Sequence, residues 1–398
     1  MPQQSMHKQV MLLATAQALF QTSSVMVMTV GGLAGAIIAS RPELATIPIA
    51  AMFLGTATTT FPASMWMTRV GRRAGFVLGA MLGGAGGLTA AVGIHVGSLL
   101  LLACGTFLIG CYQAFAQFYR FAAGEVSDDT FRPRAISLVL AGGIVAALAG
   151  PMVGRLGASL LSAQYAGSFI LLAVVALLGA AVLSGLRVPR VLEEPNPSSP
   201  GRSWSEIVSQ PAYLVALFGA ATGYGVMILA MTATPIAMVH HHHDLSTAAT
   251  VIQLHVLGMF LPSFFTGALI TRFGVLQIML MGIVLLAAHV VTTLTGTGFG
   301  SFASALILLG VGWNFLYIGG TTLLTTTYMN IERGRAQATN DMTIFAVGLA
   351  CSFSAAALLQ AFGWQLLNVL LLPWLAAAAA ALTWLGYWQK RRQQVNAE

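Results

Sequence analysis

Gln113, Gln117 and Arg120 lie at positions i, i+4 and i+7 of one apolar run, within about 60° of one another on a helix, and so form a single polar stripe. Gln17 and Gln21 repeat the i, i+4 spacing near the start of the chain. Trp313, Asn314 and Tyr317 cluster in another apolar run, with the two rings one helical turn apart, and Tyr112, Phe115 and Tyr224 add rings inside further apolar segments. Amide groups accept from and donate to carbonyls and N–H groups, and flat rings stack, so this complement suits a planar organic solute with polar edges. Two readings stay open for the glutamines and the rings: contacts to such a solute, or interhelical hydrogen bonds and ring packing that hold helices together. Arg120 lies toward one end of its run, where reaching out to the interface competes with ligand contact.

Titratable groups inside apolar runs are few. Asp341 is the one carboxylate well inside such a run, and its isolated burial would cost about 2.5–3.5 kcal/mol, so it needs a cation, a proton or water beside it. His255 and His289 are the other candidates for binding a proton near neutral pH, although a lone buried histidine also serves as a hydrogen-bonded packing residue. The run His240-His241-His242-His243-Asp244 has metal-competent ligands, but four consecutive residues cannot all aim at one ion, and it reads as a solvated loop with no resident metal site. Cys104, Cys111 and Cys351 fall singly in apolar runs and read as packing residues. No nucleophile and base gather at helical spacing, which argues against an enzyme. The glycine-rich runs lack the lysine and Ser/Thr of a phosphate loop, and no cofactor is expected.

With 57% hydrophobic and 7% charged residues in 398, the chain cannot be an ordinary soluble domain. At about 21 residues per span, apolar runs place twelve transmembrane helices near 9–39, 44–66, 74–95, 98–120, 135–158, 164–187, 211–239, 247–270, 275–297, 299–328, 336–361 and 364–388. With both termini cytoplasmic, all 18 lysines and arginines except Arg41 and Arg155 fall on the cytoplasmic side, which favours an even span count and assigns the net charge of +7 to topology rather than to nucleic acid. The segment PRVLEEPNPSSPGRSWSEIVSQP reads as a cytoplasmic linker at 189–210 between six-helix bundles at 1–188 and 211–398. The halves echo each other. Ser64 to Gly71 and Gly267 to Gly274 share small-x-x-x-Thr-Arg-x-Gly, and Arg134-Ala135 and Arg335-Ala336 each open an apolar run at nearly the same separation, indicating a parallel repeat. Glycines at 75, 79, 83 and 87, and Gly142, Ala146, Gly150 and Gly154, form smooth strips for close helix contact.

On these features the chain resembles the major facilitator superfamily, whose signature Gly-x-x-x-Asp-Arg-x-Gly-Arg-Arg/Lys is matched by Ser64-Met-Trp-Met-Thr68-Arg69-Val-Gly71-Arg72-Arg73, with serine and threonine replacing glycine and aspartate. The resemblance implies an all-α membrane protein of two pseudo-symmetric six-helix bundles that moves a small solute by alternating access, as a monomer in a bacterial inner membrane. It makes Gln17, Gln21, Tyr112, Gln113, Gln117, Tyr224, Trp313, Asn314 and Tyr317 candidate solute contacts on cavity-lining helices. Arg69, Arg73, Arg120, His255, Arg272 and Asp341 become candidate gating or coupling groups, with protons as the candidate coupling ion. Thr68, in the aspartate's place, is a candidate cap for a neighbouring helix N-terminus. The stretch from Val251 to Gly274 is similar to a bacterial vitamin-uptake subgroup that includes riboflavin carriers, whose isoalloxazine substrate would stack on rings and pair with amides. Gly150-Pro151-Met-Val-Gly154 resembles a motif of proton-linked exporters, with Arg155 where a second glycine is usual, so efflux of drugs or metabolites is the alternative. Transition-metal transport is the other.

Overall fold

The computed structural model describes residues 3–41, 44, 47–188 and 202–395, and among these the regular structure is wholly helical. In chain order the helices are α1 (Gln3–Ile38), α2 (Ile47–Val70), α3 (Arg72–His95), α4 (Leu99–Ala116), α5 (Tyr119–Glu125), α6 (Arg132–Ala158), α7 (Ala166–Ser184), α8 (Trp204–Val208), α9 (Pro211–His240), α10 (Leu245–Phe260), α11 (Ser263–Phe273), α12 (Val275–Thr293), α13 (Phe299–Leu324), α14 (Arg333–Val369) and α15 (Leu372–Val395). Each of the twelve expected spans falls on one of these helices or on a consecutive pair. The fourth span is broken into α4 and α5 and the eighth into α10 and α11, and α14 turns at Gly363, where φ is 73°.

Ten stretches among the described residues are long and apolar enough to cross a bilayer. In α2, Thr56, Thr58, Thr59, Thr60 and two prolines dilute the apolar run. The expected linker lies outside the described residues up to 201, whereas residues 202–210 are described and contain α8.

The chain divides into two compact units. The first comprises Met1–Asp128, Leu138–Glu193 and Gln337–Thr339, and the second comprises Asp129–Ser137, Glu194–Ala336 and Asn340–Glu398. In the first unit the glycine strip of α3 does what its spacing suggested. Tyr112 and Phe115 of α4 lie in the grooves over Gly83 and Gly79, and a Cβ at Gly87 would stand 2.7 Å from the carbonyl oxygen of Phe169 on α7. With backbone that close, any larger residue must push helices apart. Phe76, Phe118, Tyr119, Phe121 and Phe169 fill the space these contacts enclose and are fully buried. In the second unit α13 is the axis, buried along nearly its whole length, with α9, α10 and α12 packed around it.

The repeated Thr-Arg-x-Gly element is preserved in backbone geometry. Gly71, between α2 and α3, has φ 92° and ψ 157°, and Gly274, between α11 and α12, has φ 92° and ψ 152°. That region is open to glycine alone, so the same sharp reversal is made in each half by the one residue able to make it.

Candidate functional site

In the first unit the expected polar stripes are formed, and part of each is committed internally. Gln17 is buried, and its Nε2 donates to Oε1 of Gln21 at 3.3 Å, closing the i, i+4 pair along α1. Gln117 sits at the break between α4 and α5 and accepts from Arg120 Nη1 at 3.3 Å. Arg120 does not reach out to an interface. It is 2% exposed, and its guanidinium lies 4.6 Å from the centroid of Phe121. Gln113 is half-buried, and its Oε1 is a buried acceptor with no hydrogen-bond partner. Tyr112 is fully buried, edge-on to Phe20 with centroids 5.3 Å apart and lodged in the groove over Gly83, so its position is that of a bundle-packing ring.

The second unit brings the expected aromatics together. Trp313 and Tyr317 are stacked, with centroids 4.8 Å apart and planes 16° from parallel. Tyr224 of α9 lies 6.3 Å from Tyr317 and 5.6 Å from Phe345 of α14, and Phe260 of α10 meets Trp313 edge-on at 5.8 Å. Four helices thus contribute to one slab of π surface. Trp313 Nε1–H is a buried donor without a hydrogen-bond partner, a costly arrangement unless something else accepts from it. Phe260 and Phe345 were not singled out from the sequence, because lone phenylalanines in apolar runs carry no spacing signal.

Asn314 differs from its expected role. It is fully buried, its Nδ2 donates to the carbonyl of Met259 and to Ser263 Oγ, both at 2.6 Å, and its Oδ1 accepts from Thr266 Oγ1 at 2.7 Å. Pro262 interrupts the backbone ladder between α10 and α11, and Asn314 satisfies groups at that break, so both ends of its amide serve the bundle. Asp341 is 1% exposed, and its Oδ1 accepts from Asn340 Nδ2 at 2.9 Å. His255 is fully buried with Nδ1 2.9 Å from the carbonyl of Leu306.

Of the three arginines around Gly71, the structure buries Arg72, which the signature contains but which is not among the candidate gating groups. Arg69 and Arg73 are exposed, as is Arg272, which lies over the Phe273 ring at 5.1 Å. Arg72, the first residue of α3, is 3% exposed and grips Glu125 with two bonds, Nη2 to Oε1 at 2.7 Å and Nε to Oε2 at 3.2 Å. Arg72 also donates to Gln337, which belongs to the same unit. Thr68 does not cap α3: its hydroxyl donates to the carbonyl of Met65 in its own helix, and the N-cap of α3 is Gly71 without a side-chain bond.

In the second unit the residue after Gly274 is Val275, with no arginine to repeat that clamp. An arginine from the segment before α9 makes an analogous one. Arg202 donates from its backbone N and from Nε to Oε1 of Glu332, at 2.8 and 3.0 Å, and from Nη2 to Oε2 at 2.6 Å. Met329 N donates to the same carboxylate at 2.9 Å, and Arg202 Nη2 and Gln210 Nε2 both reach the carbonyl of Thr327 at 2.9 Å. Ser203 and Glu206 close a capping box on α8 just beyond.

Burial of Glu332 by itself would raise its pKa, but the Arg202 guanidinium and the two backbone N–H donors outweigh it and hold the carboxyl below the ordinary range. The stability this clamp gives is therefore fully present above the ordinary carboxylate pKa and is lost as pH falls through the lower, folded-state value. Glu332→Gln is expected to lower stability at neutral pH by about 1–3 kcal/mol, with the half-exposed Arg202 keeping the figure modest. Thermal unfolding of both proteins in detergent should show a gap that is constant at neutral pH and closes in acid. A gap unchanged in acid would contradict the assignment.

A family model described as the Major Facilitator Superfamily matches residues 11–254 and again 216–398. The chain belongs to the Major Facilitator Superfamily. Its membership is matched by relatives of nearly equal length. The chain is 42% identical over 377 residues to the riboflavin transporter RfnT of Brucella anthropi, covering 94% of this chain and 95% of that protein. It is 29% identical over 365 residues to the uncharacterized MFS-type transporter YdeG of Bacillus subtilis, covering 87% of this chain and 85% of that one. Among solved structures, the Escherichia coli fucose:proton symporter FucP aligns with a TM-score of 0.73 at 14% identity, over 94% of this chain and 98% of its own. The human organic anion transporter MFSD10 aligns with a TM-score of 0.73 at 12% identity, over 96% of this chain and 100% of its own. These two likenesses establish the superfamily fold and nothing about the solute. The chain is thus a multi-pass membrane transporter of the superfamily.

Proposed function

We propose that this chain takes up riboflavin, or a closely related planar vitamin, across a bacterial inner membrane by alternating access, with both termini cytoplasmic, six-helix bodies at 1–188 and 211–398, and a monomer as the working unit. The observation that carries this reading is the near full-length 42% identity to a protein named as a riboflavin transporter. The slab of Trp313, Tyr317, Tyr224 and Phe345 gives it a physical basis, because an isoalloxazine ring offers a broad π face to stack and a carbonyl edge to accept from Trp313 Nε1–H. Within the first unit, Gln113, whose buried Oε1 has no hydrogen-bond partner, and Gln17, Gln21 and Gln117 are proposed amide contacts in their own right. Asn314 and Tyr112 act as positioning residues. Asp341 and His255 are the proposed coupling groups, the solute is moved without chemical conversion, and protons supply the driving gradient.

Growth of a riboflavin-auxotrophic, uptake-deficient bacterium expressing this chain in limiting vitamin tests the proposal. Rescue is expected. Absence of rescue despite confirmed membrane expression would overturn the vitamin assignment, and altered sensitivity to toxic compounds in the same strain would favour export.

A further inference from the structure

The histidines of the second unit hold consecutive carbonyls of α13 in different ways. His289 of α12 has Nδ1 2.8 Å from the carbonyl oxygen of Ala305 and Nε2 2.9 Å from Oδ1 of Asn368. The orientation of the Asn368 amide is set by its other end, where Nδ2 donates to the carbonyl of Trp364 at 2.8 Å. A carbonyl and an amide oxygen only accept, so both ring nitrogens of His289 face acceptors, and both bonds are made only when the ring carries two N–H groups. His255 of α10 has Nδ1 2.9 Å from the carbonyl of Leu306, and its Nε2 is a buried atom with no hydrogen-bond partner. That ring donates from Nδ1 and keeps an unengaged lone pair on Nε2. Both side chains are fully buried.

We infer that His289 and His255 form a one-proton binding site inside the second unit, built on the Ala305 and Leu306 carbonyls and read out by Asn368. The groups that act on the two rings are the Ala305 and Leu306 carbonyls from α13, Asn368 from α14 and, on His255, the His289 ring. From α9, α11 and α15 no charged or titratable side chain among the described residues acts on either ring. With no carboxylate to balance a second charge, a proton on one ring disfavours a proton on the other, and the pair holds one proton rather than two.

Proton binding balances simply. A hydronium ion from the aqueous side loses a proton to His289 Nε2, an N–H bond forms, water leaves, and the site gains one positive charge. When the proton departs, the bare Nε2 lone pair faces the Asn368 oxygen, acceptor against acceptor. The contact is relieved when the amide turns over to present its NH2, and that turn gives up the bond to the carbonyl of Trp364. Asn368 lies in the last turn of α14, beyond the turn at Gly363. Proton occupancy is thereby linked to how the end of α14 is held.

The consequence for transport rests on the carrier reading above, whereas the proton site stands on the geometry alone, so the two are tested separately. The first measurement uses the full chain in detergent with 15N-labelled histidine rings, assigned with His289→Asn and His255→Asn. As pH is lowered, the two buried rings are expected to take up a single proton between them. Two rings that both stay neutral, or that titrate independently, overturn the site.

The second measurement uses proteoliposomes and riboflavin. Each variant is expected to lose about tenfold of pH-gradient-driven accumulation while keeping counterflow, which needs no gradient, within about twofold of the wild type. Gradient-driven accumulation by both variants at the wild-type level overturns the coupling role. Counterflow missing in the wild type would overturn the riboflavin reading and leave the ring titration to decide the proton site. If an asparagine variant does not fold, His289→Gln and His255→Gln take its place, and the wild-type titration decides in any case.

Discussion

Under the riboflavin reading proposed above, Trp313→Phe is expected to weaken riboflavin binding about 5–10-fold while leaving the solute-free protein at least as stable as the wild type. Phenylalanine keeps a ring against Tyr317 and Phe260 but removes the buried Nε1–H, which has no partner within the chain. A donor that finds its acceptor only in the bound solute destabilises the empty protein by about 1–3 kcal/mol and strengthens the complex, so its removal shifts the two quantities in opposite directions. Trp313→Ala removes the stacking as well and should weaken binding about 10–100-fold, the range found for one ring stacked on another. Quenching of flavin fluorescence by purified protein, measured beside thermal unfolding without ligand, separates the cases. Equal affinity for the wild type and Trp313→Phe would remove the tryptophan from the solute's contacts.

The second large effect is expected at Arg72. Arg72→Ala takes the two-pronged guanidinium away from the largely buried Glu125 carboxylate, and breaking a buried pair from one side costs up to about 3–5 kcal/mol. Arg72→Lys should recover little, because an ammonium cannot reproduce the two-pronged grip on both carboxylate oxygens. Arg69→Ala and Arg73→Ala should each change stability by less than about 0.5 kcal/mol, since both side chains are exposed. Unfolding midpoints of the four variants in detergent provide the comparison. A loss at Arg73 as large as at Arg72 would refute the assignment of the clamp.

The arginines also show where sequence reading stops. The signature told that a basic cluster follows α2, and the Thr-Arg-x-Gly repeat told that the same reversal recurs before α12. Which arginine turns inward depends on the rotation of the chain through Gly71, at φ 92°, and no residue pattern encodes that phase. The helices themselves were legible because a bilayer demands long apolar runs, whereas the breaks at 117–118 and 261–262 and the turn at Gly363 were not, since the apolar run on either side of each reads as continuous despite Gln117 or Pro262.

Among the candidate contacts, Trp313 and Tyr317 could be paired by helical spacing while Tyr224 was a separate ring on another helix, and the three do meet. Asn314 sits beside them in sequence yet faces the α10–α11 break, because adjacent helical residues point about 100° apart. Tyr112 was readable in principle: a glycine strip every fourth residue on α3 needs large side chains opposite it, and Tyr112 and Phe115 are those side chains. Glu332 and Arg202 carried no such signal, being far apart in sequence and joined only by the fold.

That last pair fixes where the chain between the halves can be lengthened. Additional residues placed ahead of Arg202 leave the grip on Glu332 and the short helix beyond it undisturbed. The same insertion between Ser203 and Pro211 would move Gln210 off the Thr327 carbonyl or pull Arg202 away from its acid. Grafted reporters, protease sites or an inserted domain therefore belong upstream of residue 202, and the nine residues that follow behave as the first course of masonry of the C-terminal half.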